Sequence, residues 1–334
     1  MRLNNLFSGL SAAIGGMTLA GAAYAQDALA GLESIGKPTP GAMGFQPAVT
    51  ELARDQQWLD WMVLVIITVI SVFVTLLLIW IIIRYNSRSN KTPATFTHHS
   101  AIEVIWTVLP ILVLIVIGSF SLPLLFKELE TPPSDLTIKV TGNQWFWTYG
   151  YPENEFEMDS HMIGSGSSLD TAEDPDNPYD KYDPNDVNIT EFVFDEFMAI
   201  KLENNGYAAD EFLLAATNPL VVPVGKVVRV QVEGSNVNHS FAMPAFGFKI
   251  DAISGRLNET WFRVGADPED VEAGTDSDAN YIGTYFGQCS ELCGVNHSYM
   301  PIVIKVVSQE NYDLWLAGAI EEFGGIEAVA MASN

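Results

Sequence analysis

The sequence predicts a transmembrane α-helical hairpin followed by an all-β sandwich or barrel domain on the outer side of a membrane. Three observations carry that prediction. Residues 62–83 and 104–126 contain no charged side chain, and each stretch exceeds the ~20 residues that span a bilayer's hydrocarbon core. Downstream, LTIKVTG, WFWTYGY, VVRVQVEG, ETWFRVG, NYIGTYFG and PIVIKVVS are short β-branched and aromatic runs bounded by Gly, Pro and Asn. The 334 residues are 48% hydrophobic and only 17% charged, yet 41 Asp+Glu against 16 Lys+Arg leave a net charge of −25, so acid and apolar surface are segregated along the chain.

Composition already excludes several classes. The apolar content rules out an intrinsically disordered chain, and the sign of the charge rules out a nucleic-acid binder, which needs Lys and Arg against phosphate. Two cysteines cannot build a disulfide framework. The acidity favours basic partners through long-range steering.

The first 25 residues have a basic start at Arg2, a small apolar run and Ala23-Tyr24-Ala25 before Gln26. This is the three-part pattern of a secretory signal peptide, with cleavage expected after Ala25; a short anchor is the alternative. Residues 26–57 then form an exported segment and 58–127 the hairpin. The connecting loop, 84–100, carries Arg84, Arg88 and Lys91 without an acid, whereas the flanks hold Glu51, Asp55, Asp60, Glu128 and Glu130. The positive-inside rule puts the loop in the cytoplasm and both chain ends outside. Pro110 and Pro123 are expected to kink the second helix. Glu103 sits at that helix's cytoplasmic start. A carboxylate there marks either a proton path or a favourable helix N-terminus, and position alone does not choose between them.

The β domain is expected over 128–320, with QENYDLWLAGAI as a terminal helix packed on it and 321–334 as a tail. Acids crowd into EDPDNPYDKYDPND, so 153–211 reads as a solvated acidic insertion; calcium is conceivable there, but the ordered spacing of a calcium loop is missing.

The chemistry concentrates in GQCSELCGVNHSYMP, which holds Cys289, Glu291, Cys293, His297 and Met300. Thiolate, imidazole and thioether are ligands that copper favours and magnesium or calcium does not. His239 in NVNHSFAMP offers a second imidazole at the end of a strand. Two Cys, two His and a Met exceed what one small ion takes, which points to two metal ions sharing the thiolates. The competing readings are a disulfide, strained at this spacing; a structural zinc site, with no use for the Met; and a single blue-copper centre, with one Cys too many.

Together, the leader, the hairpin, the strand domain, CxExCGxxHxxM and the aromatic run GNQWFWTYGY closely resemble subunit II of bacterial haem-copper cytochrome c oxidases, from about Phe45 to about Ala317. The resemblance implies a cupredoxin-like barrel with a dinuclear copper centre, CuA. Such a centre takes electrons from cytochrome c and passes them to subunit I, where oxygen is reduced to water and protons are pumped. Carried onto this sequence, Cys289 and Cys293 bridge the coppers, His239 and His297 bind one each, and Met300 and the Glu291 carbonyl complete the coordination. The Glu291 side chain would help hold a magnesium ion shared with subunit I. Trp145 would be where electrons from cytochrome c enter, and Glu103 would stand at the mouth of a proton channel. The implied setting is a bacterial inner membrane, crossed twice, with both termini periplasmic and with subunit I and subunit III as neighbours.

Two departures stand out. Gly150 follows WxWxY where family members often carry a glutamate, and Asn236–Asn238 replaces an acid often found before the ligand histidine. Docking of a basic cytochrome c would then use Glu153, Glu155, Glu157, Asp159 or the acidic insertion. A quinol-oxidase type of subunit II lacks the copper ligands present here; a nitrous oxide reductase would need more than the five histidines of this chain. No CxxCH haem-attachment motif occurs.

Overall fold

A computed structural model describes residues 28–92, 94–165, 194–265 and 280–324. The expected signal peptide and the acidic tract 173–186, with its conceivable calcium site, lie outside the described residues. The chain divides into two compact units, one of residues 54–130 and one of 1–53 with 131–334.

The smaller unit is built on helix α1 (Glu51–Arg84) and helix α2 (Ser100–Leu129), both long and apolar enough to cross a membrane. Each extends beyond its charge-free stretch because the flanking polar residues are also good helix formers and supply end interactions. Arg84 stands in the last turn of α1, where a cation meets the negative end of the helix dipole. α2 is continuous through Pro110 and Pro123. At its start the His99 ring accepts from the Ile102 N–H at 3.4 Å, while the Glu103 carboxylate accepts from the His99 N–H at 3.1 Å. At the other end of the hairpin, Lys127 pairs with Asp55 at 2.6 Å, Gln56 bonds Glu128, and Trp58 meets Phe120 edge-on.

The larger unit is a two-sheet sandwich. Its strands are β1 (Ser34–Gly36), β2 (Leu136–Asn143), β3 (Phe146–Tyr151), β4 (Phe156–Ser160), β5 (Leu220–Pro223), β6 (Val227–Gly234), β7 (His239–Met243), β8 (Phe248–Ala252), β9 (Asn258–Arg263), β10 (Gly283–Cys289) and β11 (Pro301–Val307). Helix α3 (Glu196–Asn204) precedes β5, and helix α4 (Gln309–Phe323) follows β11. One sheet has the order β5-β11-β10-β7-β8, with β1 also on β10; the other runs β4-β3-β2-β6-β9. β2 and β6 alternate buried and half-buried positions, as strands with one face on a core must. Ile138, Val140, Val230, Phe241, Ile302 and Ile304 fill the space between the sheets. Tyr151 ties one sheet to the other, its hydroxyl donating to the Val221 carbonyl at 2.8 Å and accepting from the Val221 N–H at 3.1 Å.

Three boundaries differ from the sequence reading. Phe156–Ser160, placed in the solvated insertion, is strand β4: Phe156 and Met158 point into the core, while Glu157 and Asp159 face out and mask the alternation. Residues 196–204, also assigned to the insertion, are α3, which buries Met198 and Leu202 with Ile163, Tyr207, Phe286 and Val303 in a second apolar cluster. Val303 and Phe286 lie on β11 and β10, so that cluster covers the outer face of this sheet, and β11 is buried along its whole length. Residues 321–323 continue α4 and are no tail.

Candidate metal centre

Strand order brings the sulfur and imidazole groups to one end of the sandwich. β7 and β11 flank β10 on either side, so the start of β7, the end of β10 and the start of β11 meet there. His239 is the first residue of β7 and is fully buried. Cys289 closes β10, Cys293 is buried in the loop beyond it, His297 stands half-buried in a 3-10 turn, and Met300 is buried just before β11. Glu291 contributes its backbone, since its side chain faces solvent.

The donor atoms converge without a disulfide. Cys289 and Cys293 are free thiols whose sulfurs lie 3.9 Å apart. Nδ1 of His239 is 3.8 Å from the Cys289 sulfur, which also contacts the Glu291 carbonyl at 3.3 Å. On the other side, Nδ1 of His297 is 3.5 Å and the Met300 sulfur 3.6 Å from the Cys293 sulfur. His239, Cys289 and Cys293 present ligand atoms within 4.8 Å of one another. Two donors each ~2.0–2.3 Å from one ion, at a tetrahedral angle, stand about 3.3–3.8 Å apart, so these separations suit metal binding. Each thiol has its own imidazole and its own weaker donor, which fits a pair of ions sharing two sulfurs better than a single ion. The set is soft, with one neutral carbonyl as its only oxygen, and matches copper.

The pocket disfavours net charge. Burial, reinforced by His297, lowers the His239 pKa to about 4. Burial, followed by the neighbouring Cys289, pushes the Cys293 thiol up to about 12. Metal binding therefore displaces protons and relieves the cost of the thiolates in the same step.

The β2–β3 turn closes the site from the opposite sheet. Trp145, expected within a strand, lies in this turn just ahead of β3, and its indole N–H reaches the Cys293 carbonyl at 3.1 Å. A Cβ on Gly294, whose φ is +122°, would sit 2.9 Å from the Trp145 ring, and one on Gly142 would sit 2.8 Å from the His239 ring. Trp147 packs edge-on to His239 and donates to the Met300 carbonyl at 3.4 Å. Sequence reasoning missed Gly142, Gly294 and Gln144; glycines beside a ligand motif were the available signal. Glu103 belongs to the other unit, and its carboxylate serves the start of α2. Glu153, Glu155, Glu157 and Asp159 are all solvent-exposed.

Comparison with known proteins decides the family. Residues 38–124 match the family model described as cytochrome c oxidase subunit II, transmembrane domain, and residues 176–307 match its periplasmic domain. Cytochrome c oxidase subunit 2 of Cereibacter sphaeroides is 44% identical over 320 residues, covering 96% of this chain and 93% of that protein. The chain belongs to the cytochrome c oxidase subunit II family. A probable cytochrome c oxidase subunit 2 of Rickettsia bellii is 38% identical, covering 89% and 91% of the two chains. Among solved structures, the periplasmic domain of cytochrome oxidase subunit II of Bradyrhizobium japonicum is 38% identical, covers 58% of this chain and 99% of that one, and superposes with a TM-score of 0.38. As a subunit II, the chain is a membrane-anchored component of a respiratory oxidoreductase complex, and its His/Cys/Cys group is the copper-type site of that family.

Proposed function

We propose that this subunit II receives single electrons from cytochrome c at a dinuclear copper centre and delivers them to the oxygen-reducing subunit I. The convergence of two free thiols, two Nδ1 atoms, a thioether and a carbonyl at one end of the sandwich carries the reading. His239, Cys289, Glu291 (through its carbonyl), Cys293, His297 and Met300 are the ligands. Bound there, the copper pair would supply a one-electron carrier whose charge is delocalised over both nuclei. The protein's part is to fix the ligands: His239 and Cys289 sit on β7 and β10, and the loop bearing the others is held between the end of β10 and the start of β11, on strands buried on both faces, so the same frame serves both redox states with little rearrangement.

Trp145 is the electron-accepting edge, because its half-buried indole is one hydrogen bond from the backbone of a ligand cysteine. The exposed Glu291 carboxylate would share a magnesium ion with subunit I, and Glu103 would feed protons at the cytoplasmic start of α2. The basic 84–100 loop supports a bacterial inner membrane crossed twice, with that loop on the cytoplasmic side and the sandwich and both termini on the periplasmic side. Subunit III is a further neighbour. The exposed acids Glu153, Glu155, Glu157 and Asp159 offer a basic cytochrome c its docking charge, so the bimolecular rate should fall as salt is added.

The test is copper stoichiometry and electron paramagnetic resonance on the full chain purified in its membrane complex, with a variant lacking both thiols, Cys289→Ser with Cys293→Ser, as the baseline for copper held by subunit I. Two coppers per chain above that baseline, with one electron shared by both nuclei, is the expected result. One copper with a mononuclear signal, or zinc in its place, would overturn the reading.

A further inference from the structure

The β2–β3 turn carries a directional chain of hydrogen bonds into the copper loop. Asn236 Nδ2–H donates to Gln144 Oε1 at 2.9 Å, and Gln144 Nε2–H donates to the Cys293 carbonyl at 3.4 Å, beside the Trp145 indole on the same oxygen. The direction of the chain is fixed at both ends. The Cys293 carbonyl can only accept, and the Val237 N–H, 2.9 Å from Asn236 Oδ1, can only donate. Reversing either amide would set like groups face to face. Ser235, next to Asn236, is anchored through its N–H and hydroxyl to the Gly142 carbonyl at 3.0 and 3.2 Å. The segment leading into His239, the turn bearing Trp145 and the peptide of Cys293 are thus tied into one body.

We propose that Gln144 and Asn236 are positioning residues for electron acceptance: they hold the Cys293 peptide against the Trp145 indole and so set the coupling of that ring to the ligand sulfur. This rests on the copper reading above. Gln144 acts on the Cys293 carbonyl directly, and Asn236 acts by keeping the Gln144 amide turned the right way. Both groups are neutral, so the strut holds its strength across ionic strengths at which surface charges are screened.

Two near-isosteric substitutions isolate the hydrogen bonds. Asn236→Asp removes the donor to Gln144, and Gln144→Glu keeps the acceptor facing Asn236 but removes the donor to Cys293. Asn236→Ala removes the donor without adding charge. Each is made in the full chain within its oxidase complex. The readouts are the resonance spectrum of the bound copper, copper content, and the stopped-flow rate and half-saturation of reduction by cytochrome c at low and at high salt. We expect every variant to slow the saturating rate by about five- to tenfold, since small misplacements of a reacting pair are costly, and to shift the copper hyperfine pattern. Half-saturation should stay within about twofold of wild type. The double variant Asn236→Ala with Gln144→Glu should be no slower than Gln144→Glu alone, as for links in series.

Unchanged spectra and saturating rates in all variants, with a dinuclear signal in the wild type, would overturn the positioning role and leave the copper reading standing. So would a lowered copper content with the spectrum and rate per copper preserved, which marks a purely structural role. A salt-dependent change in half-saturation confined to the two acidic variants would make these residues docking charges and also refute the proposal. A mononuclear signal in the wild type would overturn the copper reading, and the inference with it.

Discussion

Gly142 offers the sharpest probe of how tightly the second sheet closes on the metal centre. A Cβ at this position would stand 2.8, 2.9 and 3.0 Å from three carbons of His239. Carbon atoms pack at ~3.5–4.0 Å, so Gly142→Ala forces a displacement of about 0.7 Å or more. The imidazole has no free direction to take, with Trp147 edge-on at 5.8 Å and its Nδ1 facing the Cys289 sulfur at 3.8 Å. Overpacking costs ~1–3 kcal/mol, and the lost chain entropy of glycine returns ~0.4–1, so a net destabilisation of about 1–2 kcal/mol is expected. Metal–ligand distances tolerate only ~0.2 Å, so copper affinity should fall about ten- to a hundredfold. Gly44→Ala is the control, since a Cβ there meets nothing within 4 Å. Thermal unfolding of the copper-free chain and competition for copper against a chelator measure the two effects. If Gly142→Ala matches the control in both, the close approach of β2 to His239 is not what fixes the ring.

Tyr151→Phe strips both hydrogen bonds from the buried Val221 peptide and should cost about 1–3 kcal/mol, read as a lower denaturant midpoint at unchanged slope; an unchanged midpoint would refute the inter-sheet tie. Burial pulls the Lys305 amine down to about 8 from 10.5, against the opposing pull of Glu211. Native Lys305 therefore holds fewer protons than the unfolded chain between pH 8 and 10.5. Its burial costs stability in full below that window, and the cost fades as pH climbs through it. Over the window wild type should gain up to about 3 kcal/mol relative to Lys305→Met, and equal pH slopes for the two proteins would show that the amine is not desolvated. Removing copper with a chelator should lower the melting temperature, because ligand at ~1,000 times its dissociation constant stabilises by about 4 kcal/mol; a melting curve indifferent to copper would mean that the native state does not bind it.

How much was legible depended on whether the signal was local. The hairpin was readable because a bilayer demands a long charge-free run, and 62–83 and 104–126 each supply one. β2 and β6 were readable because eight residues of alternation leave little ambiguity. β5, with four residues and Pro223, and β1, with three, are too short to show a period; each exists because β11 or β10 offers it an edge far away in sequence. β4 was misread for a different reason. The acids Glu157 and Asp159 raise the charge of FEMDS, although the residues that decide its place are Phe156 and Met158, which alternate with them. At the site, the clustered motif exposed the residues whose donor atoms converge, while the contacts that hold them stayed hidden. Gly142, Gln144 and Asn236 carry no metal chemistry: Gly142 lies on β2, Gln144 in the turn after it and Asn236 between β6 and β7, and Gln144 is about 150 residues from the cysteine it bonds.

That separation has a physical consequence for the electron carrier. Ligands grouped on a single loop would be as mobile as the loop, and each change of charge would move them. Here Cys289 and Met300 are pinned at the ends of β10 and β11, His239 at the start of β7, and the Cys293 peptide by two donors from the other sheet. Any displacement of one sulfur must therefore bend two sheets packed on a common core, which close packing resists. The second apolar cluster has a part in this, because it buries β11 from outside and denies that strand a soft face. The flank of the acidic insertion thereby contributes rigidity to the centre through α3, whose Met198 and Leu202 are fully buried in that cluster. A low cost of rearrangement on gaining and losing an electron is thus spread through the whole sandwich, well beyond the residues that touch the metal.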